Sequence, residues 1–312
     1  MTATYVVTGG AGFIGSHIAE RLLREGYHVR VVDNFTTGKR SNLDRLLPHV
    51  ELHEVSITDK DALDRAFAGA DYVFHQAALP SVPRSIDDPL TTHHFNVTGT
   101  LNVLIAARDA GVKRVVYAAS SSAYGDQAGE EKVETMQPRP LSPYGVSKLA
   151  GEYYCQAFTQ CYGLETVCLR YFNVFGPRQD PQSLYAAVIP RFVTAMLRGD
   201  APIIYGDGEQ ARDFTYIDNV VHGNLLATQA PDAAGQVMNL ALGGSITLLE
   251  LVGKINRLLG THIQPIHEPA RSGDIKHSQA SIARAQDLLD FAPVVDFDTG
   301  LARTVEWYRQ PG

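Results

Sequence analysis

The run Thr8-Gly9-Gly10-Ala11-Gly12-Phe13-Ile14-Gly15 constrains this chain more than any other segment. An apolar stretch at 4–8 leads directly into it, and Ile14, Ile18, Leu22 and Leu23 behind it recur at helical spacing. Glycines at 9, 12 and 15 allow a sharp turn, let backbone amides approach a pyrophosphate, and bring the helix start close against the strand. The helix N-terminus adds unpaired N–H groups aimed at an anion. A glycine turn alone can be purely structural, but here the next apolar stretch ends at Asp33, 18 residues after Gly15. A carboxylate at that point accepts both ribose hydroxyls of NAD and repels the 2′-phosphate of NADP, so the context predicts NAD binding.

Short apolar runs bounded by Gly or Asp recur at 4–8, 28–32, 71–75, 113–119 and 165–170, with a weaker one at 50–55 and helical patterns between them. Runs that are apolar throughout belong to strands buried on both faces, which predicts an α/β fold built on a doubly wound parallel sheet of Rossmann type. From about residue 173 the rhythm changes to strands at 203–205, 214–216, 236–240 and 263–266 and helices at 185–198, 218–229, 247–259 and 297–309. The expected division is an NAD-binding domain at 1–172 and a smaller α/β substrate domain at 173–312, with 214–229 returning to the first.

A chain of 312 residues with 45% hydrophobic and 20% charged residues has the composition of a globular protein. No stretch approaches the ~20 apolar residues that cross a bilayer, and no basic segment precedes an apolar one near residue 1, so the expected location is the cytoplasm. The sequon Asn96-Val97-Thr98 is read accordingly as unmodified. Cys155, Cys161 and Cys168 lack metal-ligand spacing, so neither a metal site nor disulfides are expected. A net charge of −7 without a Lys/Arg-rich run disfavours nucleic acid as a partner.

Ser142-Pro143-Tyr144-Gly145-Val146-Ser147-Lys148 carries a helix-start signal, with Ser142 as N-cap and Pro143 in the first turn. Tyr144 and Lys148 then lie one turn apart on one face. Tyrosine, with a pKa of about 10, is a poor base near neutrality unless an ammonium and a positive nicotinamide ring favour the phenolate. In isolation the pair is equally a surface tyrosine and a solvated lysine. The serine run Ser120-Ser121-Ser122 at the carboxyl end of the fifth strand, 24 residues earlier, lies where open α/β sheets bind ligands and can hold a reacting hydroxyl beside the phenol.

In combination these motifs resemble the extended short-chain dehydrogenase/reductase family over the whole chain, through Gly300-Leu301-Ala302-Arg303-Thr304-Val305-Glu306-Trp307-Tyr308. His75-Gln76-Ala77-Ala78, Arg170-Tyr171-Phe172-Asn173-Val174-Phe175-Gly176-Pro177-Arg178-Gln179, Arg212-Asp213-Phe214-Thr215-Tyr216-Ile217-Asp218 and Arg271-Ser272-Gly273-Asp274 are similar to UDP-sugar 4-epimerases. The resemblance implies Tyr144 as base, Lys148 as its electrostatic partner and Ser120 as the orienting hydroxyl. It implies NAD contacts from Gly9, Gly12, Phe13, Ile14, Gly15, Asp33, Asn34, Phe35, Thr37, Gly38, Ser56, Ile57, Ala77, Ala78, Leu79, Asn96 and Phe172, as well as the catalytic trio. Arg212 and Arg271 would hold the UDP diphosphate, with Asn173, Val188, Tyr205 and Asp274 as further nucleotide contacts. The implied reaction passes through a 4-keto sugar that turns over before reduction, leaving the cofactor unconsumed and tightly bound.

Sugar-nucleotide dehydratases of this frame carry an Asp-Glu pair after the catalytic Ser/Thr, and Ser121 and Ser122 cannot do that work. UDP-glucuronate 4-epimerases tend to carry Thr where Asn173 stands. Ser278 falls where epimerases restricted to non-acetylated hexoses have a bulky Tyr, leaving room for an N-acetyl group. Ser121, Gln179, Ala187 and the run Ser81-Val82-Pro83-Arg84-Ser85 also resemble bacterial UDP-N-acetylglucosamine 4-epimerases. Pro80 replaces a Gly of those enzymes, and Ser56 replaces the usual Asp beside adenine. UDP-glucuronate 4-epimerase is the first alternative reading; behind it stand a sugar-nucleotide dehydratase, a reductase releasing NADH and a non-catalytic module binding NAD and UDP-sugar, the last opposed by the intact Ser120, Tyr144 and Lys148. Helices near 91–110 and 146–160 would pair into a four-helix bundle in a homodimer, though their apolar faces would look the same inside a monomer.

Overall fold

A computed structural model describes residues 2–127, 131–181, 187–270 and 277–310. Seven parallel strands run through its centre: β1 (Thr4–Thr8), β2 (His28–Val32), β3 (Glu51–His53), β4 (Tyr72–His75), β5 (Arg114–Ser120), β6 (Glu165–Tyr171) and β7 (Gln236–Leu240). Their spatial order is β3-β2-β1-β4-β5-β6-β7. Successive side chains of β1 enter opposite faces, Tyr5 and Val7 joining one core and Val6 the other. Helix α1 (Phe13–Arg24) covers the first face with Ile18 and Leu22. Helices α2 (Lys60–Phe67), α3 (Gly99–Asp109) and α4 (Pro143–Tyr162) cover the second with Leu63, Phe67, Val103 and Phe158. Each such large side chain removed from water stabilises the layer by about 1.5–3 kcal/mol. This is the doubly wound Rossmann arrangement.

Strand order reverses between β1 and β4, and a crevice opens there at the carboxyl ends of the strands. The glycine turn, Asp33, the loop after His75 and Ser120 all follow those ends. Before α3, the helical chain passes through Pro89–His93 and a π-type turn at His94–Thr98, which carries Asn96. Such single-turn bulges often mark functional segments.

Strand 236–240, expected in the second domain, is instead the edge of the large sheet, pairing with β6 from Gln236↔Val167 to Leu240↔Tyr171. Helix α5 (Ile217–Gln229), which packs against α1, precedes it. A five-residue strand segment carries no mark of the sheet it joins; pairing partners decide that. The expected strand at 214–216 is Thr215–Tyr216, preceded by a further short strand Ala211–Arg212, and the one at 263–266 is Ile266–Glu268 beside Ile203–Tyr205. A separate small sheet gathers Ile246–Thr247, Ala211–Arg212, His277–Ala280 and Glu131–Lys132, one short strand coming from the first half of the chain. Among the described residues no helix is long and apolar enough to cross a membrane.

Candidate functional site

A cavity of about 510 Å³ lies along the carboxyl ends of β1, β2, β4 and β5 and reaches the start of α4. That size and placement suit a cofactor crevice. Gly9 adopts φ 67°, and a Cβ there would lie 2.7 Å from the Ala77 nitrogen. A Cβ on Gly15 would lie 2.2 Å from the Gly9 oxygen, so this glycine exists to let α1 approach the turn. Gly12 precedes α1 with no side-chain cap, and the first turn of the helix has no acidic residue. By contrast, Asp59 caps α2 and Ser142 caps α4. The first amides of α1 are therefore left for an anion, which is what a pyrophosphate needs.

Asp33 is buried and accepts from Ala11 N at 2.9 Å and Phe35 N at 2.8 Å. Burial pushes its carboxyl up, and the two amide donors pull it back. Gly38 keeps the space beside it clear, since a Cβ there would sit 2.9 Å from either carboxylate oxygen. Gly9, Gly12, Phe13, Ile14, Gly15, Asp33, Asn34, Thr37, Ile57, Ala77, Ala78, Leu79, Tyr144 and Lys148 all line the cavity. Phe35, Gly38, Ser56, Asn96, Ser120 and Phe172 are not among the residues that line it. Phe35 turns its ring under the Arg40 guanidinium, 4.2 Å away. Ser56 spends its hydroxyl on Thr58, 2.8 Å away. Asn96 accepts from Leu79 N at 2.7 Å and donates to Leu79 O at 3.2 Å, which ties the π-type turn to the loop after β4. Phe172 is fully buried in a small cluster with Tyr124.

At the other end, the Ser142 hydroxyl accepts from Gly145 N at 3.1 Å and starts α4. Tyr144 N donates to Ser85 Oγ at 3.0 Å. The Ser120 hydroxyl accepts from Ser122 N at 3.2 Å and from Ser122 Oγ at 2.8 Å, and also hydrogen-bonds the Tyr144 side chain. Burial raises the Tyr144 phenol above its ordinary value, with Ser120 acting the other way. Burial likewise lowers the Lys148 ammonium to about 8, opposed by Cys155 and Glu152. Lys148 Nζ donates to Ala118 O at 2.9 Å. The protein alone thus holds Tyr144 as a protonated phenol; the expected phenolate requires the nicotinamide ring as well as the ammonium. His75 is locked between Thr8 Oγ1 (2.7 Å) and Thr100 Oγ1 (2.9 Å), and burial lowers it to about 3, so it is a neutral spacer.

Of the expected substrate residues, Gln179 and Ala187 line the same cavity, and Val188 begins the next helix, Val188–Leu197. Asn173 Nδ2 donates to Asp213 O at 2.9 Å, and Arg212 is in register with Ser278 on the neighbouring strand. Those three therefore form a second group, one strand pair across. Tyr205 lies on the Ile203–Tyr205 strand and Ser121 and Ser122 on the turn after β5, all outside the cavity lining. Arg271 and Asp274 lie outside the described residues.

Sequence reasoning passed over the residues that close this cavity. Arg178, at φ 65°, reaches α1, where it pairs with Glu20 and donates to Ser16 Oγ at 3.3 Å. Lys39 meets Asp180 at 2.9 Å, and both line the cavity. Pairing across such sequence distances leaves no periodic signal. A half-exposed ion pair contributes about 1 kcal/mol or less. Asp180→Ala is accordingly expected to speed NAD dissociation by about two- to fivefold, measured by stopped-flow displacement; an unchanged rate would show that the loop does not hold the cofactor.

The sequence matches the NAD dependent epimerase/dehydratase family over residues 5–241. It is 36% identical to the UDP-glucose 4-epimerase of Mycolicibacterium smegmatis, across 97% of this chain and 98% of that protein. The structure is similar to a UDP-N-acetylglucosamine 4-epimerase from Methanobrevibacter ruminantium in complex with UDP-N-acetylmuramic acid, with TM-score 0.94, 41% identity and 99% of each chain covered. It is also similar to a UDP-glucuronic acid 4-epimerase from Bacillus cereus in complex with UDP-glucuronic acid and NAD, with TM-score 0.91, 32% identity and 98% of each chain covered.

Proposed function

We propose that this chain, which belongs to the NAD dependent epimerase/dehydratase family, inverts C4 of a UDP-hexose, with an N-acetylated hexose as its leading substrate. One observation carries the reading: Tyr144 and Lys148 line the same cavity as the Gly9–Gly15 turn, and Ser120, bonded to Tyr144, is followed by hydroxyls and not by carboxylates. The residues present fit the dinucleotide: uncapped amides at α1 for the pyrophosphate, Asp33 for the ribose, and a glycine path that any Cβ would block. Bound there, NAD would supply the hydride acceptor and donor that inversion at C4 requires.

Tyr144 removes and restores the proton of the 4-hydroxyl, Lys148 favours the anionic oxygen, and Ser120 fixes the direction of the phenol O–H. Without an acid–base pair beside Ser120, elimination across C5 and C6 has no proton carrier. Arg212, with Arg271, anchors the diphosphate, because a guanidinium fork matches phosphate oxygens while the sugar turns. Ser278, beside Arg212 in register, leaves room for a C2 N-acetyl group. The nucleotide-sugar side is accordingly assigned to residues after 172, with α5 and strand 236–240 returning to the NAD side. The exposed apolar residues Val146, Tyr153 and Tyr154 of α4 and Leu90 nearby suit a homodimer built through this helix.

The test is incubation with UDP-GlcNAc, UDP-Glc and UDP-glucuronic acid in turn, followed by chromatographic separation. A C4 epimer formed fastest from UDP-GlcNAc without net NADH is expected. Faster conversion of UDP-glucuronic acid would move the substrate assignment, and a 4-keto-6-deoxy sugar, a pentose or stoichiometric NADH would overturn the reaction.

A further inference from the structure

One turn beyond Lys148 on α4 stands Glu152, 1% exposed. Its carboxylate accepts two bonds from Arg170, from Nε at 2.9 Å and Nη2 at 2.7 Å. Arg170 is 3% exposed and lies on β6 in register with Ala119, next to the serine turn. Its guanidinium sits over the Tyr124 ring at 4.6 Å, while the Tyr124 hydroxyl donates to Asn239 Oδ1 at 2.7 Å. Arg170 Nη1 is buried without a hydrogen-bond partner among the described residues. Dehydrating two charges costs several kcal/mol each, and an apolar pair of similar volume would stabilise the core as well or better. A buried pair here therefore points to a role other than stability.

Lys148 supplies that role. Its ammonium is 4% exposed, donates to a single carbonyl and lies 5.1 Å from the Tyr117 ring. The titratable groups facing it are Tyr144, Glu152 and Cys155 on its own helix, Tyr117 on β5, His75 on β4 and, beyond Glu152, Cys168 and Arg170 on β6. His75 and the Tyr117 phenol are held neutral by burial, and the Cys168 thiol by its hydrogen bond with Cys155 together with burial. Glu152 is the carboxylate in this set.

We propose that Glu152 and Arg170 are positioning residues for the proton chemistry: the arginine fork pins the carboxylate, and the carboxylate keeps Lys148 charged as the medium becomes alkaline. The Lys148 value of about 8 is the balance of burial, which lowers it, against Cys155 and Glu152, which raise it, and the ammonium persists through neutral pH. The inference rests on the catalytic reading of Lys148, and its test separates the two. Profiles of kcat against pH from 6 to 10 would be compared for the unmodified protein, Glu152→Gln and Glu152→Asp. The alkaline limb is expected to move down by about one pH unit in Glu152→Gln, and to be largely restored in Glu152→Asp. A limb that stays in place while the whole profile is scaled would assign the pair to structure alone and overturn the proposal.

Because Glu152→Gln leaves Arg170 buried without its counter-charge and can fail to fold, Glu152→Gln combined with Arg170→Met provides a neutral core of similar volume, for which a downward shift smaller than in Glu152→Gln is expected, since the Arg170 charge is lost with the carboxylate. Competitive acetylation of Lys148 across pH, read by mass spectrometry on the full-length chain, reports its titration without turnover. If the chain lacked epimerase activity yet this titration moved, the catalytic reading would fail and the coupling would stand. An unmoved Lys148 titration in both variants would remove the coupling itself.

Discussion

Tyr144→Phe is expected to lower kcat by about 10²–10⁴-fold while changing UDP affinity by less than about twofold. The substitution removes one oxygen and keeps the ring, so the wall at the start of α4 is preserved. What disappears is the group that exchanges a proton with the sugar hydroxyl. Among the described residues no neighbour is free to take its place: Lys148 directs its ammonium to Ala118 O, and both ring nitrogens of His75 are occupied by threonine hydroxyls. Asp33 stands at the far end of the cavity, already accepting two backbone amides. Turnover at saturating substrate and calorimetric titration with UDP check the two halves separately. More than a tenth of normal activity in the variant would sink the base assignment.

The second large effect is expected at Gly15. In Gly15→Ala the new Cβ would sit 2.2 Å from the Gly9 oxygen, 2.8 Å from Gly9 C and 2.9 Å from Gly10 Cα. All three are backbone atoms of the turn, so no side chain can swing aside and either the turn or α1 must move. Overpacking of this kind costs about 1–3 kcal/mol. Expressed in binding, that is a loss of about five- to 150-fold in NAD affinity, since the displaced amides are those that would meet the pyrophosphate. Gly253→Ala is the control, because nothing lies within 4 Å of its Cβ position and it sits inside the helix Leu248–Leu259. There, alanine is expected to leave NAD affinity unchanged and to stabilise the fold slightly. Fluorescence titration with NAD compares the two, and equal affinities would refute the close-approach role of Gly15.

Much of the chemistry was legible because it is written in local terms. The turn at Gly9–Gly15, the position of Asp33 after a strand, and Ser142 capping the helix that carries Tyr144 and Lys148 each depend on residues a few positions apart. The strands at 4–8, 28–32 and 203–205 fall where their apolar runs place them. Other features were hidden for an equally physical reason. The partners of Ser56 and Asn96 are such features: the Ser56 hydroxyl meets Thr58, and Asn96 ties its turn to Leu79 in the loop after β4. A polar side chain's partner is chosen by whichever donor or acceptor the fold brings near, and spacing carries no record of that.

The sequence by itself determined a doubly wound α/β chain with a dinucleotide turn at one end of its crevice and a Ser-Tyr-Lys trio at the other, because strand period, glycine geometry and helix capping act over short stretches of chain. Only the tertiary structure decided that strand 236–240 closes the edge of the large sheet, that Lys39 meets Asp180 across the cavity, and that Glu152 is held by Arg170 one turn behind Lys148. Those arrangements join segments far apart in sequence, where pairing, burial and charge neutralisation are settled only when the layers come together.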